Sequence, residues 1–502
     1  MKPGLRRRLV AIALAATLLG SLPALAASPK KKLRRTPVAT SAPTSFEAAL
    51  ASASRGAPAS SKGVSVAIAD LDTGAIVFQK NPDQPETIAS VTKMFSSAAA
   101  LHYLGPDYKF KTTLWRKGEI HDGTLVGSLL VVGGGDPNIS GRFHDDDSFA
   151  IFDSWAQGLA KLGIVRVQGD LVLNASAFDG IYRHPEWPPD RDSRWYQAPI
   201  SALSYNDNVV IVSVGRGGIP GAPASVAINP DTDVVQTLSR ARTIGKAGKI
   251  RVAVSRPSGS DVVTVSGTVP SRFFRWSVPL AIDDPPKFFG AALKSRLRAG
   301  GVELVGNVVE QPAKANDGQW MLVASTESEL LPTLAISNKH SQSFYAEQIF
   351  KTVAYERTGR GSWDAAVQLE KQFLAAIELD PARYDLHDGS GLSAYDRVSA
   401  GALLDFLKAM NVHAYGPQWR STLAISGDSE GTLRHRLLDD ASRGEIQAKT
   451  GTLNGVSTLA GYAKAASGKT YVFAILLNGP GVSESRGHAY QDRIVRTLVK
   501  RG

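Results

Sequence analysis

The feature that most constrains the fold of this 502-residue chain is a change of pattern that occurs twice along it. Residues 45–112 and 316–502 mix strand patterns with helical spacing. Residues 113–315 instead hold mainly short strand patterns, punctuated by glycine and proline about every ten residues. The two outer segments together have the length of one domain. We therefore expect one domain, 45–112 and 316–502, that is interrupted by a β-rich inserted region at 113–315.

The outer segments predict an antiparallel sheet flanked by helices, which is an α/β (α+β) fold. Residues 63–83 have the pattern of two strands joined by a turn at Asp72–Gly74. Three more strand patterns between 446 and 478 are expected to join one antiparallel sheet. Helical spacing covers 328–359, and a closing helix is expected over 486–500.

The net charge of +11 is concentrated at the N-terminus. Residues 1–35 carry nine lysines and arginines and no acid, so the rest of the chain has a charge of only +2, and we expect no nucleic-acid partner. Residues 1–26 have a cationic start, an apolar run at Leu9–Leu19 and a small-residue cleavage signal at Ala24–Ala26. This pattern predicts a secretory signal peptide, and therefore a periplasmic or otherwise exported protein.

Residues 27–44 are basic and then rich in proline, serine, threonine and alanine, which predicts a disordered tail. The basic residues either make it a simple solvated tail or attract it weakly to anionic envelope surfaces. The chain has no cysteine, and its nine histidines are scattered without metal-ligand spacing. We therefore expect no disulfide, no metal and no cofactor.

Three short motifs occur in an informative order. Ser90 and Lys93 are one helical turn apart at the start of an apolar segment. Ser341–Ser343 follows, and Lys449–Gly451 lies on a predicted strand near the C-terminus. Ser-x-x-Lys, Ser-x-Asn and Lys-Thr-Gly, in that order, are typical of penicillin-recognising serine enzymes. In this chain the second motif ends in serine where asparagine is typical.

These residue types suit a covalent acyl transfer. A serine hydroxyl becomes a good nucleophile when a base removes its proton, and a lysine three residues later on a helix can reach it. Burial and a second cation, Lys449, are expected to lower the pKa of Lys93. Ser341 is expected to relay a proton between the two lysines and the leaving amine. Ser90, Lys93 and Ser341 are therefore the catalytic candidates.

The other motif positions are expected to bind substrate. The backbone N–H groups of Ser90 and Thr452 can hold a developing oxyanion, and Lys449 and Thr450 can meet a terminal carboxylate. Ser343 has one short hydroxyl where an amide would both donate and accept, which predicts a weakened clamp on the substrate. The substrate-binding candidates are Lys449, Thr450, Gly451, Thr452 and Ser343.

With these motifs, the chain resembles the D-alanyl-D-alanine carboxypeptidase/endopeptidase family of low-molecular-mass penicillin-binding proteins, the type with a large inserted region. The segments "DLDTG", "VVGGGDP", "ALSYNDN", "DGSGLS" and "SGDSEGTLRHRL" also carry the resemblance. The resemblance implies a transpeptidase/β-lactamase-like domain and an acyl-enzyme on Ser90. It also implies peptidoglycan stem peptides as substrates and β-lactam antibiotics as inhibitors.

Two further segments have uncertain roles. The segment "HPEWPPDRD" at 184–192 resembles an inserted-domain loop that supplies an acid to the free amine of the peptide stem. Asp190 and Asp192 are the candidates, and a solvated loop is the alternative. "DGSGLS" is followed by Ala394, where a basic residue often follows in the family, so no side-chain contact is transferred to that position.

Two other functions remain open from the sequence. A β-lactamase would use the same nucleophile, but the long insertion and the lack of a recognisable loop with a deacylating glutamate argue against it. A non-catalytic peptidoglycan-binding protein is favoured only by Ser343 in the second motif. The sequence does not indicate an oligomeric state.

Overall fold

The computed structural model describes residues 45–191, 193–315 and 318–502. The predicted signal peptide and basic tail lie outside the described residues, as does Asp192.

The described residues contain both long core helices and short connecting ones. The α-helices are α1 (Phe46–Ala53), α2 (Lys93–Leu104), α3 (Ala150–Lys161), α4 (Pro285–Ala299), α5 (Leu330–Lys339), α6 (Ser343–Thr358), α7 (Trp363–Ala376), α8 (Ala400–Val412), α9 (Gly416–Ser421) and α10 (Glu484–Arg501).

The strands fall into five sheets. They are β1 (Val64–Asp70), β2 (Ile76–Lys80), β3 (Pro85–Thr87), β4 (Lys109–His121), β5 (Thr124–Val132), β6 (Arg166–Val167), β7 (Leu171–Asn174), β8 (Val209–Gly215), β9 (Ser225–Asn229), β10 (Gln236–Ser239), β11 (Arg242–Ile244), β12 (Arg251–Ser255), β13 (Val262–Pro270), β14 (Arg275–Ala281), β15 (Glu303–Leu304), β16 (Val308–Glu310), β17 (Met321–Glu329), β18 (Tyr384–Asp385), β19 (Arg397–Ser399), β20 (Ala424–Ile425), β21 (Ile446–Leu453), β22 (Val456–Lys464) and β23 (Thr470–Asn478).

The main sheet joins the two ends of the chain. Its six strands have the order β2-β1-β23-β22-β21-β20, and all neighbours pair antiparallel. The predicted hairpin of 63–83 is β1 and β2, and the three predicted C-terminal strands are β21, β22 and β23. These sequence predictions of one antiparallel sheet are confirmed.

Both faces of this sheet are buried, and the alternation of side chains along each strand explains why. In β23, Val472, Ala474 and Leu476 pack in a core with α2, α6 and α8, whereas Phe473 and Ile475 face a second core with α1 and α10. Successive residues of a strand point to opposite faces, so a strand that is covered on both sides is apolar throughout.

The middle of the chain forms three more sheets. A mixed seven-stranded sheet has β15-β6-β5-β4-β17 as its main path, with β7 and β16 attached, and β4 pairs with β17. Sheets of four strands (β10–β13) and three strands (β8, β9 and β14) follow. Together with α3 and α4 they share a separate apolar core. This agrees with a β-rich middle region, and the exact domain limits stay a prediction.

The helical spacing over 328–359 corresponds to two helices. α5 ends at Lys339, α6 begins at Ser343, and Ser341 between them has a left-handed backbone with φ +57°. The break matters because it places the Ser341–Ser343 motif at the start of α6. Among the described residues, no helix is both long and apolar enough to cross a bilayer.

Candidate active site

Ser90 lies on a short turn that leads directly into α2. The 3₁₀ turn spans Ala89–Thr92, and Lys93 is the first residue of α2. Ala89 has φ +49°, a conformation that is rare for a residue with a side chain and is often found beside functional groups. The turn places the Lys93 Nζ 2.9 Å from the Ser90 Oγ, as the one-turn spacing predicts.

The ammonium group of Lys93 has no access to solvent. Besides Ser90, it contacts the Ser343 Oγ at 3.2 Å and donates to the backbone carbonyl of Ser390 at 2.6 Å. Burial lowers the pKa of Lys93 to about 8, although Asp388, Glu347 and Asp396 oppose the shift. At neutral pH a minor fraction of this amine, roughly a tenth, is therefore neutral, and the fraction grows as the pH rises through about 8.

The carboxyl groups that face Lys93 are themselves out of solvent. Burial, and then the charge of Asp388, raises the pKa of Glu347 to about 8. The same two causes raise the pKa of Asp396 well above its usual value. Because these acids resist ionisation, they hold Lys93 in a polar environment without restoring its full pKa.

Lys449 is the second buried amine of the site. It lies on β21, and its Nζ is 2.8 Å from the Ser341 Oγ and 2.8 Å from the backbone carbonyl of Thr450. Burial, and then the nearby Lys93, holds the pKa of Lys449 well below its usual value. The two hydroxyls of the second motif therefore each face one lysine, Ser341 facing Lys449 and Ser343 facing Lys93.

The strand β21 presents a free edge to the Ser90 turn. The short strand β20 pairs only with Gln447 and Ala448, so from Lys449 onward this edge has no strand partner among the described residues. A Cβ atom on Gly451 would lie 2.5 Å from the backbone oxygen of Ile88 and 3.1 Å from the backbone nitrogen of Ser90. Only glycine permits this close approach, which explains the third residue of the Lys-Thr-Gly motif.

Two other residues of β21, Thr450 and Thr452, differ in their surroundings. The Thr450 hydroxyl is 2.9 Å from that of Thr432, which lies in the "SGDSEGTLRHRL" segment. Thr452 is exposed at the free edge. Hydrogen bonds and close approaches thus bring together Ser90, Lys93, Ser341, Ser343, Lys449 and Gly451. The predicted roles of the Asp190 side chain and of Asp192 fall outside the part of the chain that is described.

Sequence reasoning missed the support that the "DGSGLS" loop gives to Lys93. The buried Asp388 carboxylate accepts from the backbone N–H groups of Ser390, Gly391 and Ser393. It also accepts from the Trp187 indole at 2.8 Å. The contact of this loop with Lys93 comes from the backbone carbonyl of Ser390. Every residue carries such a group, so no side-chain pattern signals the contact.

The fold, together with a serine hydroxyl in contact with a buried lysine, is that of a serine peptidase of the penicillin-binding class. The chain belongs to the D-Ala-D-Ala carboxypeptidase 3 (S13) family, whose model matches residues 46–501. The predicted family and enzyme class, a serine-type D-Ala-D-Ala carboxypeptidase, are therefore confirmed.

Two bacterial relatives are similar over most of the chain. A D-alanyl-D-alanine carboxypeptidase of Actinomadura sp. (strain R39) is 31% identical over 483 residues, covering 92% of this chain and 84% of that protein. The D-alanyl-D-alanine carboxypeptidase DacB of Haemophilus influenzae is 26% identical and covers 82% of this chain and 84% of its own length.

The fold has a counterpart among solved structures. Penicillin binding protein 4 (dacB) from Haemophilus influenzae matches with a TM-score of 0.78 at 23% identity, over 90% of this chain and 99% of that one. The likeness confirms the expected transpeptidase/β-lactamase-like fold.

The close packing of β21 on the Ser90 turn generates a prediction. In Gly451→Ala, the added Cβ should push the strand away from the turn, and a displacement of about 1 Å in a catalytic site can cost about a hundredfold in rate. We expect the rate of acylation by a penicillin to fall by about that factor, with a much smaller change in the unfolding temperature. Gly218→Ala, at a site with no atom within 4 Å, is the control. Unchanged acylation in Gly451→Ala would contradict the packing argument.

Proposed function

We propose that this protein is a serine-type D-Ala-D-Ala carboxypeptidase with DD-endopeptidase activity on peptidoglycan peptides, acting through an acyl-enzyme on Ser90. The observation that carries the proposal is the 2.9 Å contact between the Ser90 hydroxyl and a buried lysine whose pKa is lowered to about 8. A neutral amine at that distance is a suitable general base.

In the acylation step, Lys93 takes the proton of Ser90 while the serine Oγ bonds to the carbonyl carbon of the penultimate D-alanine. The backbone N–H groups of Ser90 and Thr452 stabilise the oxyanion. Lys449, with Thr450 and Gly451, receives the terminal carboxylate along the free edge of β21. These roles are consistent with the proximity of Gly451 to the Ser90 backbone nitrogen.

The C–N bond then breaks, and the leaving amine takes a proton. Ser341, whose hydroxyl is 2.8 Å from the Lys449 Nζ, relays this proton between the lysines and the amine. Water then attacks the ester, with Lys93 again as the base, and releases the shortened peptide. Ser343 contributes its contact with Lys93, whereas an asparagine could also hold a substrate carbonyl.

Endopeptidase activity follows if the leaving amine belongs to a neighbouring stem peptide in place of free D-alanine. An extended peptide can add to the free edge of β21 through main-chain hydrogen bonds, and the bond that breaks is of the same type. We further propose that Asp190 or Asp192 receives the free amine of the stem. β-Lactam antibiotics would acylate Ser90 in the same way as the substrate.

We also propose that the protein acts in the cell envelope. The support is the N-terminal sequence, with its predicted signal peptide, and the cell-wall chemistry of the substrate. The basic tail at 27–44 would add a weak attraction to anionic envelope surfaces.

The first prediction tests the nucleophile. Incubation with a labelled penicillin should give a stable adduct on the peptide that contains Ser90, and the same protein should release D-alanine from peptides that end in D-Ala-D-Ala. Ser90→Ala should lose both reactions because no other hydroxyl contacts the Lys93 amine from the same turn. Labelling that persists in Ser90→Ala would show that another residue is the nucleophile.

The second prediction concerns the base. Since only the neutral amine accepts a proton, the acylation rate of the wild type should rise with pH through a midpoint near 8. Lys93→Ala should acylate about 100- to 10,000-fold more slowly. Lys93→Arg, which stays cationic, should be similarly slow. A flat pH profile in the wild type, or a fast Lys93→Arg enzyme, would exclude the lysine as base.

The third prediction concerns the changed residue of the second motif. Ser343→Asn should raise turnover on D-Ala-D-Ala peptides by roughly twofold to tenfold, the value of one hydrogen bond, because an amide can contact both Lys93 and a substrate carbonyl. Ser343→Ala should lower turnover, since it removes the 3.2 Å contact with Lys93. Slower turnover in a folded Ser343→Asn enzyme would show that the site is adapted to serine.

A further inference from the structure

A strained turn in the β-rich middle of the chain points at the second catalytic motif. Asn206, Asp207 and Asn208 are consecutive, and all three have left-handed backbones, with φ of +50°, +55° and +53°. Asparagine and aspartate tolerate this conformation better than other non-glycine residues, but each still carries a cost. Such a run persists only where the surrounding contacts impose it.

The turn is held firmly on α6. The Asn208 side chain donates to the backbone carbonyl of Pro199 at 2.8 Å and to the Ser204 Oγ at 2.9 Å. Gln348, on α6, donates to the same Ser204 hydroxyl at 2.8 Å and to the carbonyl of Ser201 at 3.0 Å. These hydrogen bonds therefore fix the position of the turn relative to α6, the helix that begins with Ser343.

This arrangement directs Asp207 at the residue between the two catalytic-site serines. The Asp207 Oδ2 accepts from the Gln342 Nε2 at 3.3 Å and from the Arg142 Nη2 at 2.6 Å. Arg142 in turn donates to the buried Tyr345 hydroxyl at 3.0 Å. The charge of Asp207 is thereby paired, while its carboxylate still holds the amide of Gln342.

Gln342 is the N-cap residue of α6, but its side chain makes no capping hydrogen bond and, among the described residues, no side-chain hydrogen bond other than the one to Asp207. Its neighbours Ser341 and Ser343 direct their hydroxyls at Lys449 and Lys93, respectively. Since Ser341 is itself left-handed, the three-residue motif needs an external contact to keep both hydroxyls in place. For the middle residue of the motif, Gln342, the structure supplies a side-chain hydrogen bond to Asp207.

We propose that Asp207 is a positioning residue: it fixes Gln342, and through it the hydroxyls of Ser341 and Ser343, against the two lysines. The inference rests on the proposed function, because it assigns the role of Asp207 in that reaction. If Asp207 has this role, the β-rich middle region is a structural part of the active site, in addition to the binding of the peptide stem proposed for Asp190 or Asp192.

The test is a double-mutant cycle on the rate at which a labelled penicillin acylates Ser90. Asp207→Ala and Gln342→Ala should each slow acylation by roughly tenfold, the value of a hydrogen bond to a charged group. If Asp207 acts through Gln342, the double variant should be no slower than either single variant. Asp207→Asn keeps an oxygen that can accept from Gln342, so it should lose less than Asp207→Ala.

Asp153→Ala is the matched control. It removes another aspartate–arginine pair of the middle region, in which Arg296 contacts both Asp153 oxygens at 2.6 and 2.8 Å, and it should leave acylation unchanged. Equal losses in Asp153→Ala and Asp207→Ala, additive losses in the cycle, or failure of both Asp207 variants to fold would overturn the positioning role. If the labelled penicillin does not acylate the wild-type protein, that result would instead overturn the proposed function, and this inference with it.

Discussion

The burial of the Lys93 ammonium beside the Ser90 hydroxyl is the constraint on which the rest of the structure depends. A cation without solvent is strongly unfavourable unless polar groups surround it. Here Ser90, Ser343 and the carbonyl of Ser390 lie within 3.2 Å of its Nζ. The balance between burial and the nearby acids leaves the pKa of Lys93 at about 8, where a lysine can serve as a base and still be partly charged.

Meeting that constraint requires groups from distant parts of the chain. Lys93 begins α2, Ser343 begins α6, and the Ser390 carbonyl belongs to a loop that Asp388 holds through three backbone N–H groups. The Trp187 indole, from the middle region, binds the same carboxylate. Asp207, also from the middle region, contacts Gln342, which lies in the loop between α5 and α6. The middle of the chain therefore supports both loops that contact the lysines.

Much of the fold follows from local patterns. The strands β1, β2 and β21–β23 were predictable because their apolar runs and turn residues act over a few neighbours. The helical spacing over 328–359 corresponds to two helices, and the spacing alone does not mark the break at Ser341 because it continues across it. Ser341 has a left-handed backbone, and a serine carries no local signal for that conformation.

The sequence by itself indicated the family of the chain and predicted a serine nucleophile with a lysine base, because motif order and one-turn spacing are local properties. Only the tertiary structure decided how the lysines are held, because backbone carbonyls, strand edges and buried acids become partners through long-range packing. Ser390, Asp388, Glu347 and Asp207 lie far from Lys93 along the chain. Their roles depend on distances of about 3 Å that no sequence pattern specifies.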